Sequence, residues 1–308
     1  MASSGDVDGE VGHLDRAQRS TALGEFTNRQ ARDRYFAVYA DMQKKWPVPS
    51  VDIDIETRYG PTRVRRSGPT DGIPIVLLPG IMGTSLSWYP HVADLAAGHP
   101  VYAVDTMGEA GHSVQTRALE TDDDLAAWLG DLLTGLCHDK AHLVGLSRGG
   151  YLALHLAVRS GDRLASVLAF EPSGFSIVGP RFILWSLVEI GRWLLPAPIL
   201  RLVAKGDPTV RHTFRSLLFA GFKYKARIPP QHLFTDDELR AIEVSTRHVL
   251  AERSNVVKAH EVAARVEALN PRVRAEVVPG ADHTLSLTQP GLVTDRILDL
   301  ADGHRVGD

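Results

Sequence analysis

Gly145-Leu146-Ser147-Arg148-Gly149 decides how this chain is read. The apolar run His142-Leu143-Val144 precedes it, and Gly150-Tyr151-Leu152-Ala153-Leu154-His155-Leu156-Ala157 follows. That order predicts a short buried strand, a sharp turn and a helix. In such a context G-x-S-x-G marks a nucleophile elbow, a strained turn that lifts a serine hydroxyl above the end of a parallel sheet. The flanking glycines fit, because a side chain there would collide with the adjoining strand and helix. Without that strand and helix, the same five residues would be a glycine-rich turn with a surface serine.

On either side of the turn, strand and helix patterns alternate. Asn28 to Trp46 reads as a helix with Tyr35, Phe36, Tyr39 and Met42 on one side, stopped by Trp46-Pro47-Val48-Pro49. Val51 to Tyr59 alternates apolar and polar as a half-exposed strand does, and Thr62 to Arg66 returns beside it after Gly60-Pro61. Ile73 to Leu78 is apolar throughout, as in a strand covered on both faces. Further strands are expected at Val101 to Val104, Leu164 to Phe170, His248 to Leu250 and Val273 to Val278. Helices are expected at Trp88 to Ala97, from Thr121, over Val257 to Leu269 and after Pro290. The three aspartates after Thr121 suit a helix start, where the dipole favours negative charge.

This rhythm predicts an α/β fold with a mostly parallel central sheet and helices on both faces. Residues 27–173 and 237–303 form its core. Residues 174–236 break the rhythm and read as an inserted helical cap rich in apolar and aromatic side chains, among them Trp185, Trp193, Phe214, Phe219 and Phe222. Residues 1–26 read as a disordered tail.

With 308 residues and 44% hydrophobic content, the chain can bury a full-sized core. A net charge of −3 gives no basis for binding nucleic acid. The polar start lacks the apolar core of a signal peptide. Phe182 to Val203 is the one stretch that suggests a membrane span, and Glu189, Arg192, Pro196 and Pro198 interrupt the ~20 apolar residues that a span requires. The single cysteine, Cys137, cannot form an internal disulfide and fits a reducing compartment. The expectation is a cytoplasmic monomer or homodimer acting on a small molecule, with no metal and no cofactor.

Three loops follow strands, at the sheet edge where such folds bind ligands. Leu77-Leu78-Pro79-Gly80-Ile81-Met82-Gly83-Thr84 is suited to form an oxyanion hole from the N–H groups of Ile81 and of Arg148, the residue after Ser147. Val277-Val278-Pro279-Gly280-Ala281-Asp282-His283-Thr284 places His283 after the last strand, downstream of Ser147 as a general base should be. Among 13 histidines, His112 is a weaker alternative base, and His91 and His99 read as surface residues beside a helix. Asp105 closes a strand and reads as a brace for the loop beneath the elbow.

At these residues the chain resembles the α/β-hydrolase superfamily. Within it, the likeness is to the carboxylesterase NP (naproxen esterase)-like group of bacterial serine esterases, from about Tyr35 to Leu300. Trp46-Pro47-Val48-Pro49, Ser87-Trp88-Tyr89-Pro90, Val104-Asp105-Thr106-Met107-Gly108, Phe234-Thr235-Asp236-Asp237-Glu238-Leu239 and Gly280-Ala281-Asp282-His283 carry the likeness beside the elbow. The resemblance implies Ser147 as nucleophile, His283 as general base and an ester substrate.

That group's acid usually follows the next-to-last strand, in a Gly-Glu-x-acid turn. Here Ala251-Glu252-Arg253-Ser254 occupies the turn, so Ser254 stands where the acid would be. Two carboxylates are candidates to replace it. Glu171, in Phe170-Glu171-Pro172-Ser173, follows the strand after the elbow helix, where haloalkane dehalogenase-like hydrolases carry their acid. Glu252 is the other, although strand alternation points it away. Glu171 is favoured. A third option is that no acid is used.

Three functions are compatible with this pattern. One is a serine hydrolase for an ester with a bulky apolar group, held by Met82, Trp185 and Trp193. The second is a lyase or cyclase of a specialised biosynthetic pathway, eliminating a carboxylate such as acetate, with His283 as base and no acyl-enzyme. The third is a non-catalytic binding protein, against which the presence of both Ser147 and His283 speaks.

Overall fold

The computed structural model describes residues 23–136, 138–177 and 208–303, together with Leu184, Leu187, Val188 and Gly191; in the last long stretch, side chains are described from Arg215 onward. In chain order, β1 (Glu25–Phe26) and α1 (Arg29–Gln43) lead into a hairpin of β2 (Ser50–Thr57) and β3 (Gly60–Ser67). Next come β4 (Ile75–Leu78), a 3₁₀ turn at Ser85–Trp88, α2 (Val92–Ala96), β5 (Val101–Val104) and α3 (Asp122–Gly135). The centre is β6 (Ala141–Leu146), α4 (Arg148–Arg159) and β7 (Leu164–Phe170). After α5 (Pro208–Gly221), β8 (Tyr224–Lys225) and α6 (Asp236–Arg240), the chain closes with β9 (Thr246–Ala251), α7 (Ala259–Leu269), β10 (Val273–Val278), α8 (Leu285–Thr288) and α9 (Pro290–Asp302).

Eight strands form one sheet in the order β10-β9-β7-β6-β4-β5-β3-β2. Only the pairings β2–β3 and β3–β5 are antiparallel. The apolar runs explain the layering. Alternate residues of β4 enter opposite cores: Val76 and Leu78 pack with α3, α4 and α7, whereas Ile75 and Leu77 pack with α1, α2 and α9. A strand sandwiched in this way has no polar face, which is why it reads as a continuous apolar run. β2, at the sheet edge, keeps half of its side chains exposed and alternates from Ile53 onward, whereas Val51 is exposed.

Local chemistry sets the helix starts. Thr121 Oγ accepts from Asp124 N–H while the Asp124 carboxylate accepts from Thr121 N–H, a closed capping box beneath three N-terminal aspartates. The helix expected over Trp88 to Ala97 is two pieces. The 3₁₀ turn is capped by Thr84 ahead of Trp88, and Pro90 separates it from α2.

Three expectations change. Residues 25 and 26, expected in a disordered tail, are ordered: Glu25–Phe26 pairs with Tyr224–Lys225, and the Phe26 ring packs 5.0 Å from those of Tyr35 and Tyr224. His91 and His99 are buried, not surface, because α9 covers them: His91 Nδ1 lies 3.0 Å from Thr294 Oγ1, and His99 Nε2 lies 3.3 Å from Asp302. Burial lowers the His91 ring to about 4.

Gly174 and Phe234 lie side by side, Phe234 N–H donating to Gly174 C=O at 2.8 Å. Beside that contact, Phe234 packs against Tyr151, His155 and Phe175. Helix α5 packs on α1. Among the described residues, no helix is long and apolar enough to cross a membrane.

Candidate active site

Ser147 sits between β6 and α4 with φ 49° and ψ −109°. Only three described non-glycine residues have positive φ: Met82, Ser147 and Glu171. All three lie just beyond the carboxyl ends of neighbouring strands, β4, β6 and β7. Strain of this kind persists where surrounding structure enforces it and concentrates at functional sites. Here the enforcement is steric. A β-carbon at Gly145 would lie 2.2 Å from the Gly149 backbone, and one at Gly149 would lie 2.2 Å from Leu78 O. The elbow closes this tightly only with glycine at both places.

The backbone at Ser147 is tied to the neighbouring strand end. Ser147 N–H donates to Phe170 C=O at 2.8 Å, and Ser173 N–H donates to Ser147 C=O at 3.3 Å. Glu171 therefore lies beside the elbow, and its carboxylate is 2% exposed. Oε1 accepts from Ala251 N–H at 2.6 Å. Oε2 accepts from the Ser254 hydroxyl and lies 3.0 Å from His283 Nδ1. The structure thus brings Glu171 and His283 together and gives Ser254 a purpose that sequence reasoning missed. The hydroxyl in the β9 turn donates to the carboxylate that faces His283. Ser254 Oγ also accepts from Val256 and Val257 N–H, so the turn aims it at Glu171.

Glu252 points elsewhere. Its Oε2 accepts from Gly280 N–H at 2.8 Å, and Arg253 N–H donates to Ala281 C=O at 2.9 Å. These bonds pin the loop that carries His283, three residues before the ring. Of the two candidate carboxylates, Glu171 is the one that meets the His283 ring.

The loop after β4 lies over the elbow: a β-carbon on Gly80 would be 3.6 Å from Ser147 Cβ. The Met82 N–H is already occupied, donating to Glu109 Oε2 at 2.6 Å. Glu109 Oε1 accepts from Arg148 Nε at 3.0 Å, and both side chains are almost fully buried. One carboxylate therefore joins the loop after β4 to the first residue of the elbow helix. Burial pushes the Glu109 carboxyl up, while the Arg148 guanidinium and Met82 N–H pull against it. Sequence reasoning also missed Glu109; its one local signal is an acidic residue inside Gly108-Glu109-Ala110-Gly111. The Met82 N–H, committed to Glu109, is thereby taken out of any role as an anion donor.

Asp105 braces loops as expected. It accepts from Ser85 N–H and His112 N–H, each at 2.8 Å, and from Tyr39 OH. The His112 ring packs against Phe36 and Tyr39, with centroids 4.6 Å away, as a core side chain does. Met82 Cε lies 3.8 Å from where a β-carbon at Gly221 would be, so the end of α5 adjoins the loop after β4. Trp185 and Trp193 lie outside the described residues.

The comparisons with known proteins agree with this geometry. Residues 75–296 match the family described as "Alpha/beta hydrolase family". The uncharacterized carboxylesterase nap of Bacillus subtilis (strain 168) is 30% identical over 86% of this chain and 91% of its own length. Carboxylesterase YbfK of the same strain is 27% identical over 88% of this chain and 94% of its own length. The crystal structure of naproxen esterase (carboxylesterase NP) from Bacillus subtilis superposes with a TM-score of 0.77 at 31% identity, covering 88% of this chain and 98% of that one. The chain belongs to the alpha/beta hydrolase family.

Proposed function

We propose that this protein is a carboxylic ester hydrolase in which Ser147 is the nucleophile, His283 the general base and Glu171 the acid. The observation that carries the reading is the Glu171–His283 contact of 3.0 Å beside a strained, family-matched serine elbow. The carboxylesterase relatives over most of the chain support the reaction class.

Ser147 Oγ attacks the ester carbonyl as His283 takes its proton. Glu171 accepts from Nδ1–H, fixes the tautomer and stabilises the imidazolium. The N–H groups of Ile81 and Arg148 hold the oxyanion, each contributing on the order of 3 kcal/mol to the transition state. His283 returns the proton to the departing alcohol, then activates water to cleave the acyl-enzyme.

Residues 174–236 act as a cap over this cleft. Their shared junction at Gly174 and Phe234 supports a single inserted unit. Ile81, Ile177 and Phe222 expose 59%, 81% and 49% of their surface, which favours a bulky apolar acyl or alcohol group, with Met82 at its edge. The enzyme works in the cytoplasm as a monomer or homodimer on small-molecule esters.

Ser147→Ala should abolish turnover of p-nitrophenyl esters, and ¹⁸O from water should enter the acid product of the wild-type reaction. Undiminished turnover by the variant, or product formation without ¹⁸O, contradicts the proposal.

A further inference from the structure

A cluster of ligating side chains lies beside the elbow helix, outside the ester site. Asp122 opens α3, His155 lies on α4, and His232 lies on the strap that returns from the 174–236 segment. One ligand atom from each lies within 4.8 Å of the other two. His155 is completely buried, and among the described residues its Nε2 has no hydrogen-bond partner although it lies 3.7 Å from Asp122 Oδ1. An orphaned buried ring nitrogen aimed at a carboxylate calls for an explanation.

The neighbours of the cluster suit a metal ion. His232 Nδ1 faces Asp122 Oδ2 at 2.5 Å, while its Nε2 lies 3.1 Å from both oxygens of Glu238. A carboxylate on the far nitrogen of a histidine is how ligating imidazoles are oriented. Tyr151 OH donates to Asp122 Oδ1 at 2.7 Å and accepts from His232 N–H at 3.1 Å, so the third ligand is held as well. We propose that Asp122 Oδ, His155 Nε2 and His232 Nδ1 bind a zinc-class divalent ion, with Glu238 and Tyr151 orienting the ligands and water in the fourth position.

Two imidazoles and one carboxylate are a donor set for Zn²⁺. Bonds of about 2.0–2.2 Å place tetrahedral ligand atoms about 3.4 Å apart, so the cluster must tighten slightly. His232 can supply that movement, because it lies on an irregular segment and its side chain is 37% exposed. Binding releases the His232 Nδ1 proton to solvent. The ion would clamp the returning strap to the helix that begins at Ser147. The site is independent of the ester hydrolase reading.

One residue opposes the ion. Arg159 Nη1 lies 2.6 Å from His155 Nδ1, and a guanidinium can only donate. In this state the His155 hydrogen therefore sits on Nε2. Metal binding requires that hydrogen on Nδ1 and Arg159 turned away, toward Asp123, which it already contacts. Arg159 thus competes with the ion, which gives the proposal a signed test.

The experiment is equilibrium dialysis of the chelator-treated full chain against Zn²⁺, with the visible spectrum of added Co²⁺ as a readout of coordination. One equivalent should bind, and Co²⁺ should give the intense bands of a four-coordinate site. Glu238→Gln should weaken binding about tenfold, and His232→Asn and Asp122→Asn should weaken it further. Arg159→Gln should tighten it. Absence of stoichiometric uptake by the wild-type chain, or uptake unchanged in both His232→Asn and Asp122→Asn, overturns the proposal.

Discussion

Glu171 Oε2 lies 3.0 Å from His283 Nδ1 and accepts from Ser254 Oγ, the hydroxyl that stands at the usual acid position of the carboxylesterase NP-like turn. Glu171 lies at the end of β7, one strand along the sheet from the β9 turn that carries Ser254, and the histidine loop follows β10 on the far side of β9. The carboxylate therefore reaches His283 past β9, and the β9 turn supplies two donors, Ala251 N–H and Ser254 Oγ, that hold it there.

Ser254→Ala removes one of those donors from a buried, charged acceptor. A hydrogen bond to a charged group contributes about 1.5–3 kcal/mol. Turnover of a p-nitrophenyl ester should fall roughly tenfold, with kcat affected more than KM, because the bond acts through His283 and not on the substrate. Steady-state kinetics of the variant measures this.

Glu109→Ala leaves Arg148 buried without its carboxylate, and Met82 N–H without its acceptor. Removing one partner of a buried ion pair costs about 3–5 kcal/mol. Urea unfolding should show a loss of that order. Activity measured on the folded fraction should also fall, because the loop carrying Ile81 loses its tie to the elbow helix.

His248 gives the fold an acid-sensitive point. Its ring is fully buried in β9, neither nitrogen has a partner among the described residues, and burial lowers it to about 4. The unfolded ring titrates near 6.5. Between those values the unfolded chain binds the extra proton, so stability rises with pH. The His248 contribution is fully present above about pH 6.5 and is lost as pH falls toward about 4. His248→Leu should flatten the dependence of unfolding free energy on pH by one proton across that window. A slope identical to that of the wild type contradicts this assignment.

The sequence disclosed what local spacing controls. The bounds of Leu164–Phe170 and Val273–Val278 match the strands expected there, and the elbow around Ser147 was legible because its glycines, strand and helix are contiguous. Glu171 could be favoured over Glu252 but not fixed, because the choice depends on three segments, 171, 251–254 and 283, that meet only in the folded sheet. Burial of His91 and His99 was hidden for the same reason: α9, some two hundred residues downstream, covers them. Glu109 stood in a glycine-rich loop with no local sign that its two oxygens would bridge Met82 and Arg148.

The most direct test compares Glu171→Gln with Glu252→Gln in kcat/KM for one p-nitrophenyl ester, under conditions where both variants are folded. Loss of the acid from such a triad costs about 10⁴ in a serine protease. Glu171→Gln should lose activity on that scale, whereas Glu252→Gln, which still offers an oxygen to Gly280 N–H, should stay within about tenfold of wild type. Near-wild-type activity in Glu171→Gln would contradict the assignment of this carboxylate as the partner of His283.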